Sequence, residues 1–443
     1  MSGSSPNKSG RRTFLRYLAA SPLFAAAGLT PHSIARLLEV RADEAAGGRN
    51  SDVGADGVLR ELEQLAQDTV IQAPDQALSV LDFEAVARLR LPPAHFGYMA
   101  SGVDDDATLR ANRQGFTRFQ LRPRRLVDVH RVDTSVSIFG ERWETPIIIC
   151  PCGSQNAFHP DGELATARAA RAKNHLQILS GVTTTSVEDV NAARGRPVWY
   201  QCYPSDDEHV AQAIVRRAAK AGCPVLILTV DLNAGRNIES QLRAARLDSR
   251  NCADCHGVGM ASYFKRKPMF DGLDLSHASD TGDPSMNWDY VKRMRDTVPG
   301  MKLILKGIVT REDATLAATH GIDAIVVSNH GGRAEDSMRS TIESLPDVLQ
   351  GTAGRIPVLV DSGFRRGTDV IKAMALGATA VGFGRPYLWG LAAFGQPGVE
   401  MVLTILRRET ELALRQMGAT SFAKLARSQV MEVGARLQPN GQR

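Results

Sequence analysis

From Thr145 onward, short runs rich in β-branched residues alternate with alanine-rich amphipathic segments, and few architectures accept that alternation. The runs are Pro146–Ile149, Gln177–Ser180, Val198–Tyr203, Val225–Asp231, Lys302–Lys306, Ala324–Asn329, Pro357–Asp361 and Ala380–Gly384. Between them lie helical patterns such as Glu163–Ala172, Asp207–Ala221, Arg311–His320 and Thr368–Leu376. Eight strands, each followed by a helix, predict a closed (β/α)8 barrel of the α/β class. An open doubly wound sheet is the alternative, but no Gly-x-Gly-x-x-Gly follows the first run. An N-terminal helical segment is expected before the barrel, and a long insertion after strand four.

Composition narrows the function classes. No apolar run beyond the N-terminus reaches the roughly 18 residues of a membrane-spanning helix. The net charge of +5 over 443 residues is too slight and too scattered for a nucleic-acid partner. Six cysteines do not make a disulfide scaffold. The start of the chain carries Arg11-Arg12, Phe14-Leu15 and the apolar stretch Tyr17 to Leu29. That layout is expected of a bacterial export signal of the twin-arginine type over residues 1–35, with a periplasmic or exported protein as its consequence. A basic start to an ordinary amphipathic helix is the competing reading. Residues 36–78 read as a linker and 79–443 as the barrel domain.

The polar residues gather at the C-terminal ends of the runs: Gln155, Ser180, Gln201, Tyr203, Thr229, Asp231, Lys306, Ser328, His330, Arg333, Asp361, Arg365 and Arg385. Single polar residues after strands are ordinarily helix caps or turn formers. A lysine, a histidine and three arginines on one rim are not explained that way, because charges held so close call for an anionic partner. The last two strands run into Asp361-Ser-Gly-Phe-Arg365-Arg366-Gly367 and Gly382-Phe-Gly384-Arg385-Pro386. Glycine-bearing turns at this place form the usual phosphate site of such barrels, and Arg365 and Arg385 add charge to it. A cofactor with a phosphate tail is the expectation, with Lys306 facing a part of it that turns negative. Ser328-Asn329-His330-Gly331-Gly332-Arg333 closes strand six. There His330 is expected to act as a general base, Asp231 to raise its pKa, and Arg333 to clamp a substrate carboxylate.

These motifs together resemble the FMN-dependent α-hydroxy-acid oxidase and dehydrogenase family, over about Leu81 to Gln429. The resemblance implies oxidation of a small L-2-hydroxy acid to the 2-oxo acid, with oxygen or a redox carrier taking the electrons. It implies His330 as the base, Asp231 as its partner, and Tyr203 at the substrate hydroxyl. Tyr98 and Arg333 would contact the carboxylate. For FMN, Cys152 and Gly153 would lie against the ring, Lys306 by its N1–C2 carbonyl edge, and Ser180, Gln201, Thr229 and Ser328 on ring or ribityl atoms. Asp361 would take a ribityl hydroxyl, while Arg365, Gly384 and Arg385 would hold the phosphate. A homo-oligomer is implied as well.

Three departures bear on the substrate. Asn237 stands where the family has a second carboxylate-binding arginine, so an Asn237→Arg change is expected to tighten binding. Its neighbour Arg236 would point away if the segment is extended. Val182 replaces a bulky aromatic, which leaves a roomier pocket, and Ser362 replaces a glycine. Two other readings stay open: another phosphate-binding barrel enzyme, and a catalytically silent flavin protein. The insertion after strand four adds two motifs. Cys252-Ala-Asp-Cys255-His256 reads as a c-type haem attachment site, a local disulfide or half a metal site. Phe264-Lys-Arg-Lys-Pro-Met-Phe270 reads as a docking patch for an anionic membrane or redox partner, or as a solvated loop.

Overall fold

The computed structural model describes residues 70–250 and 259–433. A compact unit begins at Ala73. The export segment, most of the linker and Cys252, Cys255 and His256 lie outside the described residues.

Eight strands close into one barrel: β1 Ile147–Ile149, β2 Leu176–Leu179, β3 Trp199–Cys202, β4 Val225–Thr229, β5 Lys302–Lys306, β6 Ala324–Val327, β7 Val358–Val360 and β8 Ala380–Phe383. Neighbours are parallel throughout, and β8 pairs with β1 through Val381–Ile147, Gly382–Ile148 and Phe383–Ile149 to complete the circle. All eight expected runs are strands. Several stop one or two residues early, at Asp231, Asn329 and Asp361.

The core repeats the strand period. Ile148, Leu176, Ile178, Trp199, Val225, Ile227, Ile304, Val326, Leu359 and Ala380 form one buried cluster. It includes Ile138 and Trp143 from a two-stranded ribbon, Val136–Ile138 paired with Glu141–Trp143. The ribbon packs where the strands begin, which leaves their C-terminal ends as the open face. Its strands are three residues each, too short for a periodicity to announce them.

Among the described residues three α-helices precede the barrel: α1 Asp82–Arg90, α2 Pro93–Ala100 and α3 Ala107–Gln114. The crossovers after β1, β2 and β3 carry α4 Gly162–Ala172, α5 Val187–Arg194 and α6 Glu208–Lys220. Within the insertion between Thr229 and Lys302 lie α7 Glu239–Arg246, α8 Met260–Phe264 and α9 Trp288–Thr297. After β5, β6, β7 and β8 come α10 Arg311–Thr319, α11 Thr341–Thr352, α12 Gly367–Leu376 and α13 Arg385–Gln416. The last is two helical pieces joined at a kink, where Phe394 and Gly395 leave helical geometry just before Pro397.

The insertion corrects one expectation. Phe264, Lys267, Met269 and Phe270 are buried at 2%, 3%, 0% and 6% exposure, so this run is packing rather than a membrane-docking patch. Apolar side chains committed to the interior are not available to a lipid surface. Among the described residues no helix is long and apolar enough to cross a membrane.

Candidate active site

The open end of the barrel holds a cavity lined by residues from both ends of the chain. Tyr98 and Met99 come from α2, Cys150–Gly153 from the turn after β1, and Tyr203 from the end of β3. Lys306, His330, Gly331, Arg333, Asp361–Arg365, Gly384 and Arg385 complete it.

His330 sits at its centre. The Nδ1 atom lies 3.0 Å from Asp231 Oδ1, and Nε2 lies 3.3 Å from the Tyr203 hydroxyl. A carboxylate at Nδ1 can only accept, so the imidazole proton resides on Nδ1 and the Nε2 lone pair faces the cavity. The backbone explains why this sequence forms the turn. His330, Gly331 and Gly332 are all left-handed, with φ of 58°, 72° and 76°. Such a run is open to glycine and tolerable for histidine. A Cβ at Gly332 would lie 2.5 Å from the Leu109 nitrogen, which excludes any larger residue there. The His330 N–H is held by Ser328 Oγ at 3.0 Å. Gly307, after β5, has φ of 117°, and a Cβ there would lie 2.6 Å from Asp231 Cβ. Glycine therefore makes the room that Asp231 fills.

The electrostatics correct a second expectation. Asp231 does favour protonated His330, but burial and the nearby Lys306 charge outweigh it and bring the imidazole down to about 4. Burial opposes ionisation of Asp231, yet the His330 and Lys306 charges hold its carboxyl below the usual carboxylate range. Burial likewise disfavours the Lys306 ammonium, but Asp361 and Asp231 carry it above the ordinary lysine value. Its Nζ donates to Ser328 Oγ at 3.0 Å and lies 3.7 Å from Asp361 Oδ2. The resting pair is thus an ionised Asp231 with a neutral His330.

Beyond His330 the cavity turns strongly positive. Burial and the charge of Arg385 depress Arg365 to about 9, and burial and Arg333 depress Arg385 to about 10. Buried guanidiniums that repel one another fit an anion of more than one charge, and this donor set beside Gly384 suits a phosphate. Arg385 donates to the Met99, Gly331 and Ser101 carbonyls, and Arg365 stacks on Trp389 at 4.7 Å. Of the remaining residues expected at a cofactor, Cys152, Gly153 and Asp361 line the cavity. Ser180, Gln201 and Thr229 are buried in a chain, Ser180 Oγ to Gln201 Oε1 at 3.1 Å and Gln201 Nε2 to Thr229 Oγ1 at 2.9 Å. Gln155 is not on the rim: it is buried and braces the turn through Cys152 O and Thr166.

The carboxylate end differs from expectation. Arg333 is only 8% exposed and gives Nη1 to the Tyr98 and Ser101 carbonyls and Nη2 to Gln241. Asn237 faces Asp104 and Glu239 through Nδ2, at 3.1 and 3.2 Å. Arg236 is exposed at the edge of the site. Its Nη1 reaches the Arg333 carbonyl at 3.4 Å, and its charge acts on Tyr203, His330 and Arg333. The segment is a turn with Gly235 at φ of 80°, so the alternation of an extended strand does not apply. Ser362, also left-handed at φ of 77°, offsets its strain by bonding Asp361 Oδ1 at 2.8 Å and the Gly331 N–H at 2.9 Å.

Comparison with known proteins agrees with this geometry. The model of the family described as FMN-dependent dehydrogenase matches residues 87–432. Glycolate oxidase 1 of Oryza sativa subsp. indica is 38% identical over 371 residues, 81% of this chain and 97% of the relative. A peroxisomal (S)-2-hydroxy-acid oxidase of Oryza sativa subsp. japonica is 38% identical over 368 residues, covering 82% and 98%. Among solved structures, an active chimera of (S)-mandelate dehydrogenase superposes with a TM-score of 0.71 at 33% identity, covering 80% and 99%. A mandelate oxidase bound to (S)-mandelic acid gives 0.69 at 36%, covering 79% and 97%. These likenesses overturn the exported, periplasmic location expected from Arg11-Arg12, since the relatives include an enzyme named for the peroxisome, and that expectation is withdrawn. With a matched family model spanning the whole barrel and a rim whose donors fit a flavin phosphate, the chain belongs to the FMN-dependent dehydrogenases and is an FMN-using oxidoreductase.

Proposed function

We propose that this protein oxidises an L-2-hydroxy acid to the 2-oxo acid. The observation that carries the reading is an imidazole with a carboxylate on Nδ1 and its Nε2 beside the Tyr203 hydroxyl at 3.3 Å, inside a cavity whose far end fits a phosphate. Bound FMN would supply the acceptor for the two electrons and the second hydrogen that leave the substrate. Lys306, charged and beside Asp361, would lie by the ring, with Cys152 and Gly153 along its face; Arg365, Gly384 and Arg385 would hold the phosphate and Asp361 a ribityl hydroxyl. Ser180, Gln201, Thr229 and Ser328 keep the strand ends in register beneath it.

The rest is work for the chain's own side chains. His330 takes the substrate proton at Nε2, and the resulting imidazolium is stabilised by Asp231 at 3.0 Å. Tyr203 orients the substrate hydroxyl toward Nε2. Arg333 and Tyr98 face the carboxylate, and Arg236 supplies the second positive charge. Electrons then pass to oxygen or to a redox carrier, which oxygen uptake against dye reduction distinguishes. Copies of this chain would associate, as light scattering would register.

Formation of the 2-oxo acid by FMN-loaded protein tests the reading. Glycolate, L-lactate or L-mandelate should give product and D-lactate none; no product from any acid would overturn it.

Two further outcomes follow from the site. Arg236→Gln should raise the KM of a carboxylate substrate about 10- to 100-fold, the worth of one charge-assisted contact. Asn237→Arg should change it little, because Asp104 and Glu239 would capture the new guanidinium. Steady-state kinetics on both variants decides between the two positions. The pH profile is the other. His330 is neutral above about 4, so kcat/KM should stay level from about pH 8 down to about pH 5 and fall only as the imidazole protonates below that. An acid limb centred at the ordinary histidine value of about 6.5 would contradict the assigned environment.

A further inference from the structure

A side chain of the insertion reaches the two turns that border the flavin cavity. Lys267 is buried and gives Nζ to Ser154 Oγ at 2.5 Å and to the Val182 carbonyl at 2.8 Å. Ser154 follows Gly153 on the turn after β1, and its N–H donates to the same carbonyl at 3.1 Å. Val182 lies on the turn after β2. Gly153 lines the flavin cavity, and a Cβ on it would lie 2.4 Å from Val182 Cγ2 and 2.9 Å from that carbonyl oxygen. The Lys267 ammonium is therefore one carbonyl away from backbone that borders the cofactor's place.

An opposite charge clasps the same two turns. Glu163, in α4, is fully buried and accepts the Gln155 N–H at 3.2 Å from the first turn. From the second it accepts the Thr184 N–H at 2.9 Å and the Thr184 hydroxyl at 2.6 Å. Burial outweighs the attraction of Glu163, Arg266 adds repulsion, and the Lys267 ammonium is brought down to about 8. Its Nζ also faces the Tyr263 ring at 5.0 Å, a phenol whose pKa burial pushes up. The other titratable groups around it are His95 and Tyr98 on α2 and the Asp248–Arg250 pair after α7.

We propose that Lys267 is a positioning residue for the cofactor, fixing from the insertion the turn that would lie along the flavin ring and giving the reduced ring a stabilising positive charge. The proposal requires FMN and is independent of which substrate is oxidised. Entry of two electrons and one proton adds one negative charge to the ring, so a charged Lys267 favours reduction, and a neutral one does not. Lys306 gives no such change with pH, because Asp361 and Asp231 hold its ammonium above the ordinary lysine value.

The test is the two-electron potential of the FMN-loaded full chain, set by equilibration with redox dyes and no substrate, at about pH 7 and about pH 9.5. Lys267→Met keeps the bulk and removes the charge. At the lower pH the wild type should exceed it about tenfold in the reduction equilibrium, or about 30 mV. At the higher pH, where the wild-type lysine is neutral, the two should agree within about twofold. The surrounding groups are common to both proteins and cancel in the difference. Lys267→Arg stays charged throughout, so it should match the wild type at the lower pH and exceed it about eightfold at the higher. That variant carries the test if Lys267→Met loses its flavin. Equal potentials for all three proteins at the lower pH would overturn the proposal. So would a Lys267→Met deficit of the same size at both pH values, which is the mark of packing alone, or a Lys267→Arg potential that follows the wild type at both.

Discussion

Replacing His330 by alanine is expected to slow reduction of the bound flavin by about 10²–10⁴-fold while FMN stays in place. The rate falls because no other described group combines an unprotonated lone pair with a position on the cavity floor. Tyr203, the nearest candidate, has its phenol pKa pushed up by burial and gives no base at neutral pH. FMN should be retained because the residues assigned to its phosphate, Arg365 and Arg385, are untouched, and Lys306 keeps its bond to Ser328. Removing the imidazole leaves Asp231 without its Oδ1 partner, and Oδ2 has none to begin with. The Lys306 charge still offsets the carboxylate. His330→Asn supplies a neutral control that can donate toward Asp231 but cannot accept a substrate proton at ordinary pH. Wild-type reduction rates in either variant would remove His330 from the chemistry.

The Arg365→Ala/Arg385→Ala double variant should lose its flavin. Each charge-assisted phosphate contact is worth about 1.5–3 kcal/mol, so together they should weaken FMN binding by about 10²–10⁴-fold. Arg385 also ties the Met99, Gly331 and Ser101 carbonyls together, so a loss of FMN alone does not separate phosphate binding from loosening of the rim. Riboflavin, which lacks the phosphate, provides that separation. Fluorescence titration should show the double variant losing affinity for FMN while its weaker affinity for riboflavin is little changed. An equal loss for both flavins would assign the arginines to the rim instead.

Much of this site was legible because a parallel barrel sends every strand end to the same face. Once eight β-branched runs were counted, Asp231, Lys306, His330, Asp361 and Arg385 had to converge, whatever their distances in sequence. The glycines at 331 and 332 signalled a backbone that few other residues follow, and that turn is what aims His330. Other properties depend on quantities that a sequence does not display. The pKa of His330 is a contest among burial, Lys306 and Asp231, and spacing reveals only that the three are near. Alternation would turn Arg236 away only in an extended chain, whereas residues 232–238 bend at Gly235. A warning was present, since a glycine between two asparagines, as in Asn233-Ala-Gly235-Arg-Asn237, marks a turn or loop. The run Phe264–Phe270 looked like surface for the opposite reason: its lysines and arginine advertise solvent, yet Lys267 is buried and bonded. Composition alone cannot distinguish a snorkelling lysine from one fastened inside.

The central claim is that one cavity holds a flavin against a base that takes a proton from a 2-hydroxy acid. Anaerobic mixing of the FMN-loaded protein with an L-2-hydroxy acid tests it most directly, by following the flavin's visible absorbance and assaying the 2-oxo acid formed. The account predicts bleaching of the flavin with one 2-oxo acid produced per FMN reduced. A flavin that keeps its full absorbance in the presence of glycolate, L-lactate, L-mandelate and L-2-hydroxyoctanoate alike, in protein that has bound FMN, would contradict it.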